Sequence, residues 1–202
     1  MQAFRPWATL EGIRSGQLEV QQRIRDLLRD KTRRADGCSA EPTVAVIDAQ
    51  SAKTSANLAE TSQGVDANKK VKGCNRHLIT VTLGLVPAVL VTAANVHDIA
   101  GGKHLLDDLA AAAHPSMTKS VGVEVLQRPR TQGFEPLPKW WVIERPFGRL
   151  VQHHRLARDY EALPQRSRTM IHWAMVGEMS RETTGESIPT WRIATDIPLV
   201  SA

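Results

Sequence analysis

Two acidic residues, Asp48 and Glu144, have surroundings that could support metal chemistry. Asp48 follows the β-branched run TVAVI at 43–47, which predicts a short strand buried on both faces and ending at this carboxylate. Glu144 shares a helical stripe with three apolar residues, Trp140, Phe147 and Val151. An acid in apolar surroundings needs a partner, and Mg²⁺ prefers carboxylate oxygens. Two alternatives stay open, because Asp48 could begin a turn and Glu144 could lie at the edge of an amphipathic helix.

The elements that would position these acids alternate between helices and strands. Apolar spacing predicts helices over 17–34, 140–160 and 167–181, and strands over 43–47, 78–83, 88–92 and 121–126. The two middle strands form a hairpin with a turn at 84–87. A further helix, which Asp98 could cap, contains Leu105 and Leu109 and ends at Pro115.

A basic cluster follows the polar segment 51–68, which has no periodicity. Its members are Lys69, Lys70, Lys72, Arg76 and His77. We expect a flexible, charged loop that could contact phosphates, and a second pair, Arg155 and Arg158, could do so from a helix. Lys and Arg outnumber Asp and Glu by 26 to 21, a net charge of +5 that favours a polyanionic partner such as nucleic acid.

Several other classes of protein are disfavoured. Cys38 and Cys74 lie far apart and signal neither a disulfide framework nor a zinc knuckle. The histidines do not repeat a metalloprotease-type spacing. The uncharged stretch 78–96 contains Gly84, Pro87 and several threonines, so two strands explain it better than a membrane span. The start of the chain lacks a secretory pattern, and we expect a cytoplasmic protein.

The order of these motifs resembles the insertion-sequence DDE transposases. The matching segments are VAVIDAQSAKT at 44–54, GVDANKKVKGCNRHLITVTLGLVPAVLVTAANVHD at 64–98, VEVLQRP at 123–129 and LPKWWVIERPFGRLVQHHRLARDYEALP at 137–164. The resemblance implies an α/β, RNase H-like fold with a mixed sheet flanked by helices. It also implies DNA as the partner and acidic residues that hold two Mg²⁺ or Mn²⁺ ions. On this resemblance Asp48 is the first and Glu144 the last metal ligand of a catalytic triad.

The second aspartate of that triad is missing. The family carries it on a strand and an Asp-Gly-Gly turn between the Ala-rich helix and the VEV strand, but here Lys119 joins Ser120 directly. Asp98 and the consecutive Asp107 and Asp108 fit helix-capping and solvated positions better. We therefore expect an RNase H-like fold that lacks one strand and one helix.

Smaller departures affect the site and the basic cluster. Pro146 follows Glu144 by two residues and should kink the helix unless the helix begins there. Cys74 and Asn75 interrupt the cluster where the family is more cationic.

The chain divides into three predicted regions, an abbreviated helical region at 1–40, an incomplete catalytic domain at 41–181 and a loosely ordered tail at 182–202. The leading functional prediction is a transposase that binds DNA but is defective in metal-dependent cleavage and strand transfer. A homodimer is one assembly that it could form. The alternatives are a non-catalytic nucleic-acid-binding remnant and an unstable pseudogene product, since loss of a strand would expose edges of the sheet.

Overall fold

A long helix, a four-stranded sheet and three further helices make up the computed structural model, which describes residues 6–56, 58, 63–111 and 140–186. The helix α1 (Pro6–Ala35) comes first. The strands are β1 (Ala45–Lys53), β2 (Gly64–Asp66), β3 (Val71–Val81) and β4 (Leu85–Ala93). The later helices are α2 (Asp98–Ala111), α3 (Trp140–Gln152) and α4 (Pro164–Thr184).

The long strand β3 organises the sheet. It pairs with β1 along one side, in a register that sets Asp48 opposite Leu78, and with β4 and β2 along the other side. All of these described pairings are antiparallel. A tight turn at Thr82–Gly84 joins β3 to β4, and it needs positive φ at Leu83 (73°) and Gly84 (76°). Glycine adopts this conformation without the steric penalty of a side chain.

Helices cover both faces of the sheet because its strands alternate apolar residues. On one face Leu78 and Val89 pack against Ile143 and Phe147 of α3 and Ile171 of α4. On the other face, Ile79, Ala88 and the half-buried Ile47 pack against Leu105 and Leu109 of α2. Helix α1 packs on α4 and β4. No helix in the described ranges has the length and apolar composition needed to span a bilayer.

This architecture confirms the predicted α/β class and is consistent with an RNase H-like fold. The hairpin is also confirmed, but its turn lies at Thr82–Gly84, and Pro87 lies inside β4. The predicted strand at 121–126 and the tail beyond 186 fall outside the described residues. The three predicted regions stay predictions.

The prediction for the first strand was wrong in length and burial. β1 continues past 47 to Lys53, so Asp48 lies within the strand instead of at its end. Most of its residues are only half-buried. The physical reason is that β1 pairs on one side only among the described strands, so its other edge lacks a covering neighbour there.

The predicted helix over 140–160 was too long. α3 ends at Gln152, a single tight turn follows at His154–Leu156, and Asp159 then pairs with Thr54 as an isolated bridge. The backbone N–H and carbonyl of Asp159 thus bond to the end of β1 and not within a helix. At the other end of the chain, α1 begins well before the predicted start at 17.

Candidate metal site and nucleic-acid interface

Asp48 lies on the face of the sheet that α3 and α4 cover. Val46, two residues earlier on β1, packs against the apolar cluster of that face, and alternation gives Asp48 the same orientation. Burial raises the pKa of the Asp48 carboxyl, and the charge of Asp98 raises it further. The backbone N–H of Ala49 and the charge of Lys69 oppose this shift but do not cancel it. The carboxylate therefore lacks full compensation of its charge, which a bound cation would supply.

Glu144 does not occupy the apolar stripe that the sequence suggested. α3 buries Ile143, Pro146, Phe147 and Leu150, whereas Glu144 is exposed and Val151 is 51% exposed. The predicted stripe was right for Phe147 but wrong for Glu144 and Val151, because α3 turns toward the sheet the face that carries Ile143. Helix α3 nevertheless packs on β1 and β3. The elements that carry Asp48 and Glu144 are thus neighbours, and the approach of the two carboxylates stays a prediction.

Pro146 lies inside α3, six residues after the helix begins at Trp140. The helix therefore does not begin at this proline. A start at Pro146 would have avoided the loss of a helical hydrogen bond. A proline there removes one backbone donor from the helix. Its ring is buried against the core, so apolar packing offsets part of the cost.

The acidic residues near Asp48 have structural roles of their own. Asp66 accepts hydrogen bonds from the backbone N–H groups of Asn68 and Lys69, both at 3.0 Å, and this fixes the turn before β3. Asp98 is the first residue of α2 and lies 3.2 Å from the Lys69 ammonium. Within the described ranges no three His, Cys, Asp or Glu side chains form a group that could hold a metal ion.

Arg76 and His77 are buried in β3, so the expected exposed loop was wrong for both. The Arg76 guanidinium, at 1% exposure, donates to the carbonyl oxygens of Leu156 (2.6 Å) and Arg158 (3.3 Å). His77 Nε2 lies 2.9 Å from Thr92 Oγ1, and burial lowers the pKa of its imidazole. Arg76 thus links the segment that follows α3 to the sheet through hydrogen bonds.

The other basic residues of the predicted DNA-binding set lie on segments at one end of the sheet. Lys53 ends β1 opposite Gly73, next to Lys72 of β3, while the N–H of Asp159 donates to the Lys53 carbonyl at 2.9 Å. The two segments that carry basic residues and that are distant in sequence are therefore neighbours at this end of the sheet. We call this surface the basic end, and its residues are Lys53, Lys69, Lys70, Lys72, Arg155 and Arg158.

Sequence reasoning missed Lys53. Its only signal was a lysine shortly after the predicted strand, and its importance appears when β1 is extended and pairs with the segment around Asp159. Arg155 lies 2.9 Å from Glu161 and Lys69 contacts Asp66 and Asp98, so the charges of both residues are partly neutralised. Lys53, Lys70, Lys72 and Arg158 are exposed.

Asp159 anchors the segment that carries the basic residues 155 and 158. Its side chain is buried, with Oδ2 accepting a hydrogen bond from the Cys74 thiol at 2.9 Å and Oδ1 accepting one from the Glu161 N–H at 3.0 Å. Burial and the adjacent carboxylate raise the pKa of the Cys74 thiol. The thiol therefore stays protonated and acts as a hydrogen-bond donor. It occupies a position where the resemblance led us to expect a more cationic segment.

A model of the transposase DDE domain matches residues 39–121. No match was found among curated proteins or solved structures. The matched segment includes Asp48 and the lysines of the basic end, whereas Glu144 lies beyond it.

Proposed function

We propose that this chain is a member of the insertion-sequence DDE transposase family, that it binds DNA through the basic end and that it is defective in metal-dependent strand cleavage. The match of the transposase DDE domain model to residues 39–121 supports the family. The observation that carries the DNA-binding part is the convergence of two basic segments, far apart in sequence, on one end of the sheet. Duplex DNA is a polyanion, and phosphate contacts by Lys and Arg supply most non-specific affinity.

The lysines of the basic end are held in place by local structure. Asp66 fixes the turn through the N–H groups of Asn68 and Lys69, and Lys70 takes a left-handed conformation with φ of 53°. Pairing of β2 with β3 then directs the chain from this turn into the sheet. Side chains on a fixed backbone lose less conformational freedom on binding phosphates than those on a mobile loop.

The proposed catalytic defect follows from an incomplete set of acids. Asp48 suits one position of a divalent-metal site, because its carboxylate is half-buried and its charge is not fully compensated. The family chemistry needs two metal ions to stabilise the attacking and leaving oxygens. The sequence has no aspartate between Asp108 and Asp159, and the described residues hold no three-ligand group. The residues present therefore do not fit the complete metal centre, and no cleavage step follows from them.

We expect replacement of four basic-end residues by alanine to reduce the salt dependence of DNA binding. The variant combines Lys53→Ala, Lys70→Ala, Lys72→Ala and Arg158→Ala. Each lost phosphate contact lowers the slope of log affinity against log salt by about 0.9 on B-form DNA. Fluorescence anisotropy with a labelled duplex over a range of salt concentrations measures this slope.

The matched control removes the same charge elsewhere. It combines Arg23→Ala, Lys31→Ala, Arg34→Ala and Lys103→Ala, all at exposed positions on α1 and α2. This control should keep nearly the wild-type slope. Equal slopes in the wild type and in the basic-end variant would show that the surface is solvated and does not bind DNA.

The purified chain should neither cut nor join DNA with Mg²⁺ or Mn²⁺. Loss of one ligand raises the barrier of a two-metal reaction even where DNA still binds. Nicking of a supercoiled plasmid and cleavage of transposon-end duplexes provide the measurements. Metal-dependent cleavage by the unaltered chain that disappears in Asp48→Ala would refute the proposed defect and show that another acid completes the site.

A further inference from the structure

The segment Arg158–Tyr160 is held rigidly against the end of β1. The N–H of Asp159 donates to the Lys53 carbonyl, and the Asp159 carbonyl accepts from the Ser55 N–H, both at 2.9 Å. The buried side chain of Asp159 adds the bonds to Cys74 and Glu161 already described. Backbone and side chain together therefore fix the orientation of the two neighbouring residues.

An exposed aromatic residue lies on this segment next to exposed basic residues. Asp159 is buried, whereas its two neighbours Arg158 and Tyr160 are exposed, Tyr160 at 46%. On β1 the inward residue Ala52 alternates with the exposed Lys53 in the same way. Tyr160 takes no part in the buried clusters of the described core. An exposed ring on an anchored backbone is a surface available to a ligand.

We propose that Tyr160, together with the nearby Arg158 and Lys53, is a stacking site for an unpaired base, so that the basic end prefers single-stranded DNA to duplex. A base presents its flat face to an aromatic side chain only when it is not stacked within a helix, and the phosphates on either side then contact the cations. The inference rests on the proposed DNA binding and names the form of DNA that this surface prefers.

The test compares three labelled ligands of equal length: an oligothymidine strand, an abasic strand that keeps the phosphates without bases, and a duplex. The wild type should bind oligothymidine most tightly. Tyr160→Ala should weaken oligothymidine binding about 5- to 50-fold, because stacking on one aromatic side chain contributes on this scale. The variant should bind the abasic strand and the duplex as the wild type does.

Three further variants separate stacking from other causes. Tyr160→Phe keeps the ring and should retain the preference, whereas Tyr160→Leu keeps apolar bulk without the ring and should lose it. Trp173→Ala removes a similarly exposed aromatic, at 47%, from α4 and should change nothing. Thermal unfolding of each variant checks that the fold is intact.

The possible failures are distinguishable. If Tyr160→Ala and Tyr160→Leu leave the preference unchanged while the basic-end variant loses affinity, the stacking site is wrong and the proposed DNA binding stands. If the wild type binds none of the three ligands, the proposed DNA binding itself is wrong. Dissociation of a dimer by Tyr160→Ala, with no change in oligothymidine affinity, would assign the ring to a protein contact and also overturn the inference.

Discussion

Gly101→Ala is expected to destabilise the protein by about 2 kcal/mol, although alanine is the better helix former. A methyl group at this position of α2 would lie 2.6 Å from His77 Nδ1 and would overlap the rest of the imidazole. The ring cannot easily retreat, because it is buried and its Nε2 is bonded to Thr92. Overpacking of this kind costs about 1–3 kcal/mol and sometimes more, which outweighs the gain of about 1 kcal/mol from helix propensity.

The neighbouring glycine provides the matched control. A methyl group at Gly102 would meet only Ile47 Cγ2, at an ordinary 3.5 Å. Gly102→Ala should therefore stabilise the protein by up to about 1 kcal/mol through helix propensity alone. Urea unfolding monitored by circular dichroism gives both free energies of unfolding.

Removing the ring should reverse the sign of the Gly101 effect. In a His77→Ala background the added methyl group enters the space that the imidazole vacated, so Gly101→Ala should stabilise that background. The double-mutant cycle measures this coupling. Additive effects of the two substitutions would show that α2 and the ring are not in contact.

His172→Phe is expected to remove much of the loss of stability at acidic pH. His172 of α4 is 3% exposed, and neither ring nitrogen has a hydrogen-bond partner among the described residues. Burial, followed by the charges of Arg25 and Arg168, holds the pKa of this imidazole well below the ordinary 6.5. Protonation in the folded protein would place a third cation beside two others.

The sign of the pH effect follows from proton binding. The unfolded chain takes up a proton at His172 near pH 6.5, while the folded chain does not until the pH is well below that. The stability that the neutral ring contributes is therefore fully present above pH 6.5 and is lost as the pH falls from there toward the folded pKa. The slope for one such proton is at most about 1.4 kcal/mol per pH unit.

Free energies of unfolding from pH 8 down to the acid limit test this prediction. The difference between His172→Phe and the wild type should grow in favour of the variant as the pH falls below 6.5. His154→Phe, at an exposed position after α3, is the control and should leave the profile unchanged. His77 titrates in both proteins and cancels from the difference. Parallel profiles for His172→Phe and the wild type would contradict the assignment.

The sequence alone was enough for the fold class, and it pointed to the family. The β-branched segments, the helical stripes and the order of motifs predicted an α/β protein that resembles the DDE transposases. The described sheet and helices confirm the α/β class, and the match of the transposase DDE domain model to residues 39–121 supports the resemblance. These features are local or depend on order along the chain. Hydrophobic periodicity reports which face of an element is buried, and a motif order needs no coordinates.

The positions of individual side chains depended on the tertiary structure. Arg76 looked like one more cation in a basic loop, but β3 turns it inward to the carbonyl groups of Leu156 and Arg158. Glu144 looked half-buried, because the choice between adjacent faces of α3 depends on which one meets the sheet. Strand pairing between segments distant in sequence sets these orientations, and the residues around each site do not reveal it.

The lysines within 69–72 were visible from the sequence, whereas the placement of Lys53 and Tyr160 depended on the tertiary structure. The sequence revealed the first group, since charge clustering is visible along the chain. Lys53 and Tyr160 join the basic end only because Asp159 bonds to the last residues of β1, across more than a hundred residues of chain. Composition and periodicity determine what each segment can become, whereas long-range hydrogen bonds and packing decide which side chains share one surface.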